Sequence, residues 1–235
     1  MSMMQVIDTG ATRPEKNMAY DAHLLDVMRP SDRPILHLYD WSVPSITYGY
    51  FTKVENQFNL EGIKESGLFI AKRPTGGGAL FHTVDLAFSF LIPANHKGCH
   101  ENVLDNYRYI NTIVKDAVLS LIKEEGILLP DEIQDAPTET ERFCMAKPTK
   151  YDVMVNGKKL IGAAQRKKKQ GYLHQGSIAI MLPEDELLRA VLKHPDVVVS
   201  SMEKTTFQLL PRDASANDLK EMREKLKRKL AEHVQ

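Results

Sequence analysis

An α+β fold is the class this sequence predicts, on three observations. Strand-like and helix-like stretches mix irregularly along its 235 residues. The dipeptide Asn156-Gly157 joins two apolar runs, the strongest short-range signal for a two-residue hairpin. One long segment, 101–125, carries Val103, Tyr107, Ile110, Val114, Val118 and Leu121 at three- and four-residue steps, the stripe of an amphipathic helix. Hairpins among helices argue against a doubly wound parallel sheet.

The elements follow in order. A first helix is expected over 16–28, with Met18, Leu25 and Met28 on one face, before Pro30 and Pro34 punctuate the chain. ILHLYDW (35–41) and SITYGYF (45–51) read as strands. The pattern over 54–66 is helical, with Gly67 as its stop. LFIAKR (68–73) is a short strand running into PTGGGAL, and DLAFSFLIP (85–93) is another. Gly126 is expected to cap the long helix, and 130–150 to form a polar loop. YDVMV (151–155) and KKLIGAAQ (158–165) make the hairpin, and LHQGSIAIML (173–182) returns as a strand. A short helix covers 184–192. A last helix starts near Ser215, where Asp218 completes a capping box, and carries Leu219, Met222, Leu226 and Leu230 at helical spacing.

Bulk properties narrow the function classes. Lys+Arg and Asp+Glu both number 31, so there is no general attraction to nucleic acid or to an anionic membrane. Neither cysteine, Cys99 nor Cys144, lies in a CxxC or Cys/His cluster, which argues against zinc. Without a disulfide framework a reducing cytoplasm is the expected compartment. The N-terminus lacks the pattern of a signal peptide, and no apolar run approaches the roughly 20 residues that cross a bilayer.

Two segments carry candidate chemistry. In Lys72-Arg73-Pro74-Thr75-Gly76-Gly77-Gly78-Ala79, three glycines permit positive φ and let backbone N–H groups approach an anion. Arg73 can add a bidentate cation. The same glycines suit a plain tight turn, and the Gly-Lys-Ser/Thr ending of a P-loop is missing. In the hairpin, Lys158 and Lys159 occupy adjacent strand positions and point to opposite faces. One can face inward as a carboxylate clamp, or both can be solvated beside the turn. Gly162, Ala163 and Ala164 keep the neighbouring surface small.

KRPTGGGALFH, then YDVMVNGKKLIGAAQ, then LHQGSI, with Asn17-Met18-Ala19 opening the first helix, resemble the biotin/lipoate protein ligase superfamily. The likeness runs from about residue 17 to 210 and is nearest to the lipoate–protein ligase A branch and its octanoyltransferase relatives. The resemblance implies a mixed, largely antiparallel sheet flanked by helices, with a catalytic domain over 1–210. Beyond it a C-terminal amphipathic helix, 211–235, is expected and no separate accessory domain, a departure from the ligases of this family that carry one. It implies that Arg73, Thr75, Gly76, Gly77, Gly78 and Ala79 hold an acyl-adenylate phosphate. Lys159 would be the essential lysine, and Phe81 and His82 would neighbour the acyl channel. Asp152, Gly162, Ala163 and His174, with Gln175, would border the substrate.

The intact triple glycine favours a ligase that activates lipoate or octanoate with ATP and Mg²⁺ and acylates a lysine. The acceptors implied are lipoyl domains of 2-oxoacid dehydrogenase E2 subunits or the glycine-cleavage H protein. The alternative is an octanoyltransferase drawing on acyl carrier protein through a thioester on Cys144, since one branch has a nucleophilic cysteine at a similar place. Gly49-Tyr50-Phe51 also resembles that branch. A non-catalytic binder is disfavoured by Arg73, the glycines and Lys159 occurring together. The basic run Arg166 to Lys169 reads as a solvated turn or as a docking patch for an acidic partner. Cys99 and His100, at a helix start, carry no metal signal.

Overall fold

The structure, a computed structural model, describes residues 3–122, 127–131, 145 and 149–235. Its larger sheet joins β1 (Gln5–Thr12), β2 (Ile35–Trp41), β6 (Asp85–Pro93), β10 (Gly171–Ala179), β9 (Lys158–Lys168), β8 (Val153–Val155) and β7 (Ile127–Leu128) in that spatial order. A second sheet places β3 (Ser45–Tyr48) between β4 (Phe69–Lys72) and β5 (Ala79–His82). Among the described strand pairs, β1 with β2 and β3 with β4 run parallel and the rest are antiparallel. The expected mixed, largely antiparallel sheet with flanking helices is the observed architecture.

The central strands β6 and β10 are buried along their whole length. Their alternation distributes side chains to two layers. Phe88, Phe90 and Ile92 of β6, with Tyr172 and Ile178 of β10, join a core built with α3 (Val103–Leu119) and α6 (Ala216–Glu232). Each such aromatic or aliphatic side chain contributes roughly 1.5–3 kcal/mol of burial. On the opposite face, Leu91 and Leu173 pack with Leu25 and Met28, at the end of α1 (Pro14–Val27). A separate core lies under the small sheet, where α2 (Leu60–Glu65), α4 (Asp185–Val191) and α5 (Pro195–Thr205) contribute Ile63, Leu188, Val191, Val198 and Met202.

Several local expectations are met. Asn156 and Gly157 both have positive φ, 51° and 77°, as a two-residue hairpin turn of this hand requires. The Ser215–Asp218 capping box is formed in both directions, and α6 buries Leu226 and Leu230 in the main core.

Others are corrected. The long helix ends at Leu119 with Ser120 as its cap, short of Gly126, which lies outside the described residues. The expected helix 54–66 is a 3₁₀ turn, Val54–Asn56, followed by α2. Phe58 breaks it by burying its ring and bridging to Leu192, and Asn59 starts the new helix by accepting from the Gly62 N–H. The strand expected from 151 begins at Val153, because Tyr151 takes φ 63°. β1, β5 and α5 were not anticipated. β1 is polar, has a register shift between Asp8 and Ala11, and has its partner about 30 residues downstream.

Candidate active site

The connection 73–78 between β4 and β5 is held from the inside. Arg73 is only 3% exposed. Its guanidinium donates to the Thr47 carbonyl (3.0 Å) and Oγ1 (2.8 Å), and to the carbonyls of Gly76 (3.2 Å) and Gly78 (2.6 Å). Gly77 has φ 82°, a conformation that favours glycine. The preceding loop lies against this one. A Cβ on Gly49 would stand 1.9 Å from the Gly77 carbonyl oxygen, and the Tyr50 N–H donates to Thr75 O at 2.8 Å.

Thr75 anchors the loop to the large sheet, donating from Oγ1 to Gln175 Oε1 at 2.8 Å. Gln175 in turn donates to Asp21 Oδ2 (2.7 Å) on α1. Asp21 also accepts from Ser89 Oγ (2.5 Å) and pairs with His37 Nδ1 (2.7 Å). All of these groups are buried, where satisfied polar networks fix one arrangement.

A second buried chain leads from Arg73 through Thr47. Thr47 Oγ1 lies 2.7 Å from His82 Nε2, His82 Nδ1 lies 2.7 Å from Asp85 Oδ2, and Ser177 Oγ donates to the same oxygen at 2.6 Å. Trp41 stacks on the His82 ring at 4.2 Å. Asp85 and Ser177 end at a largely apolar cavity also lined by Ala79, Phe81, Met145 and Thr206. It has about 30 Å³ free, room for about two waters. Met145, Met181 and Met202 line it, and methionine is the side chain that repacks most readily.

Lys159 enters from the hairpin. β9 carries one residue more than β8 across the register shift at Val153/Met154. Such a bulge re-aims a side chain: Leu160 and Ile161, although adjacent, both join the main core. Lys159 is buried and its Nζ lies 2.7 Å from Asp152 Oδ2. Lys158 is exposed and donates to the Glu203 carbonyl. Of the two readings open for the pair, the inward one holds. The backbone of Lys159 bridges to Thr206, and the Phe207 N–H donates to Lys159 O at 2.9 Å. Thr206 Oγ1 donates to Met145 O at 3.2 Å. Thr206, the bridging partner of Lys159, lines the same cavity as Ala79 to Phe81 of β5.

Asp152 is fully buried. It accepts from the Tyr107 hydroxyl (2.6 Å on Oδ1), the Thr149 N–H (2.5 Å) and the Thr149 Oγ1 (2.9 Å). Burial first, and the Asp152 charge second, hold the Tyr107 phenol well above its ordinary pKa, so it serves as a donor.

The remaining candidates are placed as follows. Gly162 is opposite Ser177 on the cavity face, and Ala163 is opposite Gly176. His174 lies on the other face of β10, toward α3, stacked on Phe88; strand alternation turns it away from the cavity that Ser177 lines. Burial pushes its imidazole down to about 3. The basic run is largely engaged within the molecule. Arg166 donates to Pro74 O, Lys167 to the His100 and Glu101 carbonyls, and Lys168 pairs with Asp26. Cys99 is half-buried, and burial raises its thiol, which disfavours the nucleophilic thiolate. Cys144, with Arg142 and Lys147, lies outside the described residues. Thr47, Asp85, Ser177 and Tyr107 were missed in the sequence. Tyr107 was read only as one member of the apolar stripe, and its hydroxyl was the available signal.

Residues 13–227 match the family described as lipoyl protein ligase A/B catalytic domain. The chain is 32% identical over 206 residues to an octanoyltransferase LipM of Geobacillus kaustophilus, covering 86% of this chain and 74% of that one. It is 33% identical over 201 residues to the octanoyltransferase LipM of Moorella thermoacetica, covering 83% and 71%. Among solved structures, a lipoate-protein ligase A bound with ATP superposes with TM-score 0.69 at 25% identity, over 99% of this chain and 85% of that one. The bipartite lipoate protein ligase of Thermoplasma acidophilum, from a lipoylation system studied with its E2 lipoyl domain, gives 0.71 at 24%, over 99% and 84%. The chain belongs to the lipoyl protein ligase A/B catalytic-domain family, and it is an enzyme of that ligase and octanoyltransferase group.

Proposed function

We propose that this enzyme is an octanoyltransferase, moving an octanoyl group from a carrier-protein thioester to Cys144 and then to a lysine of a lipoyl domain. The observation that carries the reading is the position of Met145, the residue after Cys144. Met145 lines the apolar cavity beside Ala79 and Phe81, and its carbonyl is held by Thr206, the bridging partner of Lys159. The relatives named octanoyltransferase point the same way.

In the first step the Cys144 thiolate attacks the octanoyl carbonyl. A new C–S bond forms, the bond to the carrier sulfur breaks, and the carrier leaves as a thiolate that takes up the proton the Cys144 thiol gave up. In the second, the acceptor lysine amine attacks the acyl-cysteine, forming an amide and returning the thiol. Each step passes through a tetrahedral oxyanion. The Lys159 ammonium and the loop amides of 76–78 would stabilise it, a preorganised donor of this kind being worth roughly 2.7–4 kcal/mol. The reaction needs no ATP, because the thioester is already activated. Acceptor domains of E2 subunits or of the glycine-cleavage H protein fit this chemistry.

The ATP-dependent ligase, which the triple glycine favours in the sequence, stands second. The similarity to an ATP-bound ligase A is its support. In that reading Gly76 to Gly78 and Lys159 would hold the acyl phosphate, with Mg²⁺ neutralising the polyphosphate. Against it, the Arg73 guanidinium is directed at Thr47 and the loop carbonyls, so its donors serve the loop.

The test is a mass measurement on an apo lipoyl domain incubated with the enzyme and octanoyl-carrier protein without ATP. Octanoylation that vanishes in Cys144→Ser is expected. Modification that instead requires free acid and ATP, and survives that substitution, overturns the transferase.

A further inference from the structure

We propose that Tyr107 and Thr149 are positioning residues that hold Lys159 at its working geometry through Asp152, an inference that rests on the acyl-transfer reading above. The grounds are stereochemical. Asp152 is fully buried, and the groups that converge on it come from three separate places. Tyr107 reaches from α3 to Oδ1 at 2.6 Å. The Thr149 N–H and Oγ1, from the turn before β8, reach Oδ2 at 2.5 and 2.9 Å. Lys159 Nζ, from the bulged start of β9, reaches the same Oδ2 at 2.7 Å.

A carboxylate that met only a lysine could rotate with it, since an ammonium is a point charge with three movable donors. Here the other three donors fix the carboxylate plane, and the carboxylate then fixes the ammonium. The supporting shell is itself anchored. Asn111, one turn after Tyr107 on α3, donates to Tyr151 O at 2.7 Å, which holds the turn in its positive-φ conformation. The Asp152 N–H donates to Thr149 O at 3.1 Å, closing the same turn. Gly162, opposite Ser177, adds no side chain to this part of the wall. This arrangement answers a requirement of the proposed chemistry. An oxyanion-stabilising cation accelerates the reaction only if it is placed where charge develops, and a displacement of about 1 Å can cost about 100-fold. The long, rotamer-rich side chain of lysine does not meet that demand alone.

The experiment measures octanoyl transfer to an apo lipoyl domain, from octanoyl-carrier protein and separately from octanoate with ATP, for the full chain and two variants. Tyr107→Phe removes only the hydroxyl and Thr149→Val only one donor, the latter at an exposed residue where folding is least at risk. Tyr107→Phe is expected to lower kcat about tenfold and Thr149→Val about threefold. KM for the acyl donor should stay within about twofold, since neither residue is placed on the substrate. If Tyr107→Phe does not fold, the Thr149→Val value decides. Unchanged kcat in a folded variant, or a loss carried by KM, overturns the clamp while leaving acyl transfer standing. A wild-type chain that transfers octanoyl from neither donor overturns the acyl-transfer reading and the clamp with it.

Discussion

The glycine loop and the hairpin lysine are held in opposite ways. In the loop, backbone is the presented surface and side chains are the fasteners: Arg73 grips two loop carbonyls and Thr75 pins the loop to Gln175 on the large sheet. At the hairpin, a side chain is presented, and a buried carboxylate with its own donors fastens it. The difference shows what each kind of group needs. Backbone amides are rigid once φ and ψ are set, so steric exclusion and hydrogen bonds suffice. An amine on a flexible stem needs an electrostatic partner, and the pair is buried, where removal of either member is costly.

The sharpest way to break the comparison is Lys159→Met. It leaves the Asp152 charge buried without its cation, a change worth about 3–5 kcal/mol of stability. Loss of the oxyanion donor should also lower kcat about 100- to 1,000-fold. Chemical denaturation and acyl transfer measured together should show both losses. Gly49→Ala attacks the other region. Its Cβ would meet the Gly77 carbonyl oxygen at 1.9 Å, so one loop must shift. A stability loss of about 1–3 kcal/mol should accompany a fall in activity of about 100-fold. Stability equal to wild type with full activity would show that the two loops are not mutually fixed.

His174 offers a control on the helix side of the sheet. Its imidazole is pushed down to about 3 by burial, below the 6.5 of an unfolded histidine. As pH falls from about 6.5 toward 3, the unfolded chain takes up a proton that the folded chain refuses. Stability therefore declines by about 1.4 kcal/mol per pH unit in that window, or about 2 kcal/mol by pH 5. Urea melts of wild type and His174→Gln at pH 7, 6 and 5 should show the variant with the shallower decline. The smallest effect belongs to Ser215→Ala, which removes the capping box of α6. About 1 kcal/mol of stability should be lost, with transfer activity unchanged, because the cap touches neither fastening system.

Much of the candidate site was legible before folding was considered, but as parts. The three glycines permit either a special backbone or a plain tight turn, and the Lys158-Lys159 pair leaves open whether one lysine faces inward or both are solvated; burial of Lys159 against Asp152 decides the second question. Cys144 was visible as a nucleophile candidate but sits outside the described residues. What could not be read was which groups serve them. Tyr107 sits on an apolar stripe that reads as core, and its ring is buried. Asp152 was expected to border the substrate, and the structure shows it occupied with Lys159. Thr75 and Gln175 are separated by 100 residues. His174 and Gln175 are adjacent in sequence yet serve different faces of one sheet.

By itself the sequence determined what depends on neighbours along the chain. The hairpin at Asn156-Gly157, the Ser215 cap, the stripe of α3 and the α+β class all follow from turn chemistry and from periods of two and 3.6 residues, which need no tertiary partner. The tertiary structure decided what depends on register. The extra residue in β9 turned Lys159 toward Asp152, β1 found its parallel partner, and Arg73 swung inward to Thr47. These are choices among alternatives of similar local energy, and they are settled only when distant strands pair and water is excluded between them.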